Sequence, residues 1–300
     1  MATTVKPWRD GQSAAQTFTW PRIRRLCGVV FVYALVLTLC AFILLPLGWM
    51  LTAALKPDRV PIFTVPTEWF PSQYWHWENF ARALTAPSRP FLRYTLNTLI
   101  IVFGNIVGTL LSCSLVAYPF ARLRFRGSTL LFNIVIITLL IPWQVLMIPQ
   151  FLLFFNLGWY GTYLPLIVPS FTAGAFYVFL IRQYMRTFPR ELDDASRIDG
   201  CNHFQTFWHI ILPLCVPVLA VCAVFVFLGS WNDLLGPLIY LDSNEKFTVA
   251  IGMANFVTRA NTPWNLLMAA NIVMMLPVVI IYFFAQDKLI GGIASVGLKG

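Results

Sequence analysis

The sequence is poor in charge: 11% of its 300 residues are Asp, Glu, Lys or Arg, less than half of the roughly 25% usual in soluble globular chains. Acid is the scarcer sign, with 12 Asp and Glu against 21 Lys and Arg. Histidine occurs at His76, His203 and His209 only, with no H-E-x-x-H spacing, which excludes a zinc site of the kind that puts two ligands on one helix face. No G-x-x-x-x-G-K-[ST] loop is present, so this chain lacks that phosphate cradle for ATP. A G-x-S-x-G nucleophile elbow is also missing. The six cysteines form no C-x-x-C pair, and all but Cys201 lie in or beside apolar runs, as small buried hydrophobes do. Neither a disulfide framework nor a metal centre is expected.

What the chain has is hydrocarbon, with 58% hydrophobic residues and a mean hydropathy of +0.72. That composition belongs to an integral membrane protein. A membrane-crossing helix needs about 20 residues nearly free of charge, so the gaps between charges locate the spans: 26–55, 94–121, 127–181, 200–232 and 260–286. The third gap, at 55 residues, is too long for one crossing. Asn156-Leu157-Gly158-Trp159-Tyr160-Gly161 interrupts it with turn formers, which predicts two helices there and six spans in all. The first apolar run exceeds the 7 to 15 residues of a signal-peptide core and is expected to be retained. The chain is therefore read as a tail (1–25), a six-helix transmembrane domain (26–286) containing a loop at 182–209, and a second tail (287–300). The fold class is an all-α membrane protein.

The net charge of +9 sits in short clusters between apolar runs, which mark topology rather than nucleic-acid binding. With a cytoplasmic amino terminus, alternate loops place 14 Lys and Arg inside and 7 outside. The positive-inside rule then puts both termini in the cytoplasm. No carboxylate pair or intramembrane Lys or Arg of the sort used by proton-driven carriers lies in a span. Uncharged amides do occur at depth: Asn97, Asn105, Asn133, Gln144 and Asn271. Each is more ordinarily a helix-packing residue, yet together they could line a path for a hydroxylated solute. Asn133, Gln144, Asn232 and Asn271 are the candidates for such a path, with Trp231 as a stacking face. Gly104 and Gly108 form a G-x-x-x-G continued by Ser112, which predicts a helix-packing stripe.

The loop before the fifth span is the most informative segment. Glu191 to Asp199 is short, acidic and helical in pattern, with Asp193 and Asp194 one turn before Arg197. Gly200 can end that helix in the left-handed conformation. Phe204, Phe207 and Trp208 then form an apolar stripe, giving a helix-turn-helix knob on the cytoplasmic face.

This spacing resembles the E-A-A-x3-G-x9-I-x-L-P loop of binding-protein-dependent ABC importer permeases. Asp194-Ala195-Ser196 stand at the E-A-A positions, Gly200 at the glycine, and Ile210, Leu212 and Pro213 at the ending; Asp replaces Glu and Ser replaces the second Ala. Glu191 is a second acid able to share the first position's role. Over nearly its whole length the chain is similar to the carbohydrate-uptake branch, the maltose and glycerol-phosphate type, through Ala117-Tyr118-Pro119-Phe120-Ala121-Arg122, Asn156-Leu157-Gly158, Gly229-Ser230-Trp231-Asn232-Asp233 and the tail ending Lys299-Gly300. The resemblance implies a type I importer permease fold working by alternating access. It also implies a second permease subunit, two ATPase subunits that hold the ATP and Mg, an extracytoplasmic solute-binding protein and a carbohydrate substrate. This chain itself would bind no cofactor and catalyse no covalent step. Glu191, Asp194, Ala195, Ser196, Asp199 and Gly200 would dock on the ATPase, and Lys299 and Gly300 would reach toward it. The same machinery could carry a polyol, glycerol phosphate or peptide; an ion-coupled secondary transporter is the more distant alternative.

Overall fold

The computed structural model describes residues 20–57, 68–70, 74–85, 90–257 and 262–297, with side chains described from residue 24 to residue 286. Lys299 and Gly300 lie outside that set. The chain divides into two compact units, residues 1–50 and 51–300. Most of helix α1 (Trp20–Ala54) belongs to the first. Its stretch from Arg24 to Ala54 is 31 residues long, about 46 Å at 1.5 Å per residue and longer than the roughly 30 Å hydrocarbon layer. Residues 24–47 are exposed on every side of this helix, although nearly all are apolar. A helix apolar all round is stable only in an apolar surround.

Among the described residues of the second unit every regular element is helical. A short α2 (Glu78–Thr85) precedes the long α3 (Phe91–Arg122). Then follow α4 (Ser128–Thr138) and α5 (Trp143–Asn156), and α6 (Leu164–Ile167) running through a 3-10 turn (Val168–Thr172) into α7 (Ala175–Met185). The knob consists of α8 (Glu191–Ile198) and α9 (His203–Thr206), which passes through a π turn (Phe207–Ile211) into α10 (Leu212–Leu214) and α11 (Val216–Trp231). Last come α12 (Leu235–Tyr240), a 3-10 turn (Asn244–Lys246), α13 (Val249–Ala254) and α14 (Trp264–Gly297).

Among the described residues four helical stretches are long and apolar enough to cross a membrane, and two bent pairs raise the number to six if each is one span. The division at Asn156–Gly161 is where the sequence places it, with Gly158 and Gly161 at φ 71° and 74°. Two further breaks are additions to the sequence reading. The α4–α5 pair bends by 92° around Leu139–Pro142, and the α9–α11 run bends by 74° at Cys215. Helix α14 also continues to Gly297, past the 286/287 boundary drawn from charge.

Helix α3 is the centre of the second unit. The Gly104–Gly108–Ser112 stripe is its packing face: a Cβ on Gly108 would fall 2.1 Å from Ser170 Oγ, and one on Gly104 2.7 Å from the Ile167 side chain. Only hydrogen at these positions lets the end of α6 and the 3-10 turn approach. Ser112 completes the contact by donating to Ser170 O (3.1 Å) and accepting from Ala173 N (3.2 Å). One buried cluster, including Cys113, Tyr118, Ile181, Met185, Phe207 and Ile211, packs the end of α3 near Arg122 against α7 and the π turn. A second, including Phe91, Tyr94, Val249, Phe256 and Leu267, packs the other end against α13 and α14.

Candidate functional site

The knob is built by local rules. Three acids, Glu191, Asp193 and Asp194, occupy the first turn of α8 and Arg197 its last, matching the helix dipole at both ends. Gly200 follows at φ +79°. There the Gly200 N–H donates to Arg197 O (3.1 Å) and the Cys201 N–H to Ser196 O (2.9 Å), closing the helix with a left-handed cap. Asn202 then starts α9 with a capping box, accepting from Gln205 N while its own N–H donates to Gln205 Oε1. Ser196 is buried and joins the two helices, its hydroxyl 2.9 Å from Thr206 Oγ1 and 2.8 Å from Asp193 O. The serine that departs from the E-A-A pattern is thus an internal tie of the knob.

Its outer surface carries the remaining predicted residues. Glu191, Asp194, Ala195, Asp199 and Gly200 are all exposed. Of the predicted apolar stripe, Phe207 is buried, whereas Phe204 and Trp208 stack at 6.2 Å while 64% and 46% exposed, and Ile198 at the end of α8 is 86% exposed. Acidic side chains and an uncovered apolar patch therefore share one small projection.

Asp193 points the other way. It pairs with Arg122 at the end of α3 (2.5 Å), with side-chain exposures of 14% and 1%. Arg122 also donates to Met185 O (3.3 Å), Phe188 O (2.8 Å) and Pro189 O (2.7 Å). Arg190 returns the arrangement by donating to Arg122 O (2.6 Å) and Ala121 O (3.4 Å). Two arginines on two segments each grip the other's backbone, so the knob is clasped to α3. Sequence reasoning counted Arg122 and Arg190 as topology charges. The available signal was Arg122 closing the Ala117–Arg122 stretch without a local acid to pair with. Beside the clasp lies a cleft of about 630 Å³ whose walls include Arg124, Arg197 and Asp194.

The opposite end of α3 is tied by amides and acids. Asn97 Nδ2 donates to Glu245 O (2.8 Å) and Phe247 O (2.9 Å), Arg93 pairs with Glu245 (3.2 Å), and the Tyr94 hydroxyl bonds to Asn244. Asn97 is thus a packing residue. Asn105 Nδ2 donates to Ser230 Oγ on α11 (2.9 Å), in a groove of about 270 Å³ that Thr109 and Tyr177 also line.

The five candidate path residues are not gathered in one place. Asn133 and Gln144 are exposed on α4 and at the start of α5, and Asn271 Nδ2 donates to Leu267 O in its own helix (3.0 Å). Trp231 is 4% exposed, stacked on Phe227 at 5.4 Å, with its Nε1 donating to Met274 O (3.2 Å). Asn232 lines a cleft of about 560 Å³ together with Trp143, Gln150, Asp233 and Tyr240. Its neighbour Asp233 accepts from Gly236 N at 3.1 Å. Burial pushes the Asp233 carboxyl upward from its ordinary value, an effect offset in part by the N–H groups of Gly236 and Leu235.

The sequence matches the family described as "Binding-protein-dependent transport system inner membrane component" over residues 104–294. It is 39% identical over 206 residues to the arabinooligosaccharides transport system permease protein AraQ of Halalkalibacterium halodurans, covering 66% of this chain and 74% of that one. It is 28% identical over 285 residues to the maltose/maltodextrin transport system permease protein MalG of Photorhabdus laumondii, covering 89% and 95%. A crystal structure of a bacterial ABC transporter involved in the import of the acidic polysaccharide alginate shares the fold, with a TM-score of 0.76 at 21% identity over 90% of this chain and 99% of that one.

Proposed function

Because the chain belongs to the binding-protein-dependent transport system inner membrane component family, we propose that it is one of two membrane subunits of an ATP-driven importer and moves a carbohydrate by alternating access. It is a membrane transport subunit. A second permease completes the pathway, two ATPase subunits bind ATP and Mg, and an extracytoplasmic binding protein delivers the solute. Both termini and the knob face the cytoplasm, in keeping with the 14 to 7 division of basic residues.

The observation that carries the reading is the knob itself. Ile198, Phe204 and Trp208, and likewise Glu191, Asp194 and Asp199, are exposed on one helix pair clasped to the central helix by Arg122 and Asp193. Such a patch suits a protein partner, with the aromatics as anchors and the acids as orienting charges. ATP closing the ATPase pair moves the knob, and the clasp passes that motion to α3, which both buried clusters hold against α7, α13 and α14. ATP is then the ligand whose differential binding drives the two states of the path. The relatives named for arabinooligosaccharides and maltodextrin support a saccharide as the solute.

Reconstituting the full assembly in proteoliposomes tests this. Uptake of labelled arabinooligosaccharide or maltodextrin is expected to require ATP on the ATPase side and the binding protein outside, and to persist with an uncoupler. Uptake that continues without the ATPase and collapses with the uncoupler would replace the reading with an ion-coupled carrier.

A further inference from the structure

The Asn232 cleft has the makings of a binding site that the knob does not explain. Its volume of about 560 Å³ is within the range of small-molecule sites. Trp143 and Tyr240 give it aromatic walls, and Gln150, Asn232 and Asp233 give it polar atoms. Tyr240 is 3% exposed with its hydroxyl buried, so the polar atoms the cleft offers are those of Gln150, Asn232 and Asp233.

The charges are one-sided. Among the described residues no Lys, Arg or His lines the cleft, and Asp233 is the one carboxylate that does. On the neighbouring loop, Lys246 donates its Nζ to Gly161 O (2.5 Å), while a Cβ on Gly161 would lie 2.8 Å from Asp242 Oδ2. That cation therefore has an acid close to the same glycine, and neither belongs to the cleft wall.

From the amides of Gln150 and Asn232, the aromatic walls and a lone carboxylate with no facing cation among the described residues, we infer that this cleft is a solute contact for uncharged, hydroxyl-bearing molecules and holds off acidic ones. Gln150 and Asn232 exchange hydrogen bonds with solute hydroxyls and Trp143 offers a ring face. Asp233 accepts from hydroxyls as well and repels carboxylate or phosphate groups. The inference rests on the importer reading for its solute class and narrows it toward neutral saccharides. Sugar acids and sugar phosphates are disfavoured on this chain's side of the path.

The field in the cleft can be read without any solute. Asn232→Cys in the purified full assembly is reacted with a cationic and an anionic methanethiosulfonate, each rate normalised to a free thiol and corrected for the parent chain's own cysteines. The cationic reagent is expected to be favoured on the order of tenfold. Adding Asp233→Asn, which keeps an acceptor for Gly236 N, should bring the ratio near one. A ratio near one or below in the first variant, or one unmoved by the second change, would overturn the charge assignment. Neither result depends on uptake, so absence of ATP-driven transport would remove the importer reading while leaving the cleft's polarity decided.

Discussion

Arg122→Ala is the perturbation that bears hardest on how the knob is tied to the rest of the molecule. The guanidinium is buried, ion-paired with Asp193 at 2.5 Å and donating to the carbonyls of Met185, Phe188 and Pro189. Hydrogen bonds from a charged donor contribute about 1.5 to 3 kcal/mol each, but those made by one group do not add. Removing one partner of a buried pair costs about 3 to 5 kcal/mol. The lower end applies here, because Asp193 retains 14% side-chain exposure and can turn toward water. A loss of about 3 kcal/mol raises the local opening of the clasp by roughly 150-fold. Hydrogen exchange read on the α8 amides in the full assembly should accelerate by up to that factor, and ATP consumed per solute imported should rise. Asp193→Asn keeps all three carbonyl bonds and should fall between Arg122→Ala and the parent. Arg126→Ala, on an exposed side chain, should match the parent. Exchange in Arg122→Ala within twofold of the parent, with unchanged stoichiometry, would refute the clasp as the mechanical link.

The other predictions concern packing, the knob's interior and pH. Gly108→Leu must displace Ser170 and Phe171, which stand 2.1 and 2.7 Å from its first added carbon; overpacking of this kind costs about 1 to 3 kcal/mol. It should lower the thermal midpoint, whereas Gly28→Leu, with no atom within 4 Å of the added carbon, should not. Ser196→Ala restores the alanine of the E-A-A pattern yet should destabilise this chain by about 1 kcal/mol. A double-mutant cycle with Thr206→Val should recover most of that as coupling, since the two hydroxyls lie 2.9 Å apart. Burial raises the Asp233 carboxyl, so the folded state holds that proton to higher pH than the unfolded chain does. Its contribution to stability is therefore present below the ordinary carboxylate range and erodes as pH rises through the raised value. The midpoint of Asp233→Asn relative to the parent should climb across that window, and a flat difference would contradict the assignment.

The sequence made local features legible and left distant ones hidden. Charge gaps located the spans because a charge at depth is costly wherever the chain folds. Gly200 was readable because a short acidic helix followed by glycine announces its own cap, and its φ of +79° agrees. The two bends were not readable from proline. Pro46, Pro119, Pro149 and Pro277 all sit within continuous helices, while Pro142 marks the 92° break. Packing around each proline decides which outcome holds. Arg122 was hidden because its partners lie 63 to 71 residues further on. Trp143, Gln150 and Tyr240 were hidden because an aromatic or amide in an apolar run gives no sign of which face it will present. The Gly104–Gly108 stripe was foreseen as packing, and its occupants, Ile167 of α6 and the Val168–Thr172 turn, were not.

The central claim is that the knob couples an ATPase to the transport path, and it is tested most directly by measuring labelled-sugar uptake and ATPase retention on the same proteoliposome preparations of Gly200→Val and Asp194→Ala. No atom lies within 4 Å of a Cβ at Gly200, so the valine's penalty is conformational alone, on the order of 1 to 2 kcal/mol for a left-handed backbone. Asp194 is exposed, so its truncation disturbs a partner rather than the fold. Both variants should insert and pair with the second permease while the ATPase dissociates or hydrolyses ATP without transport. Parent-level uptake with full ATPase retention in both would contradict the account.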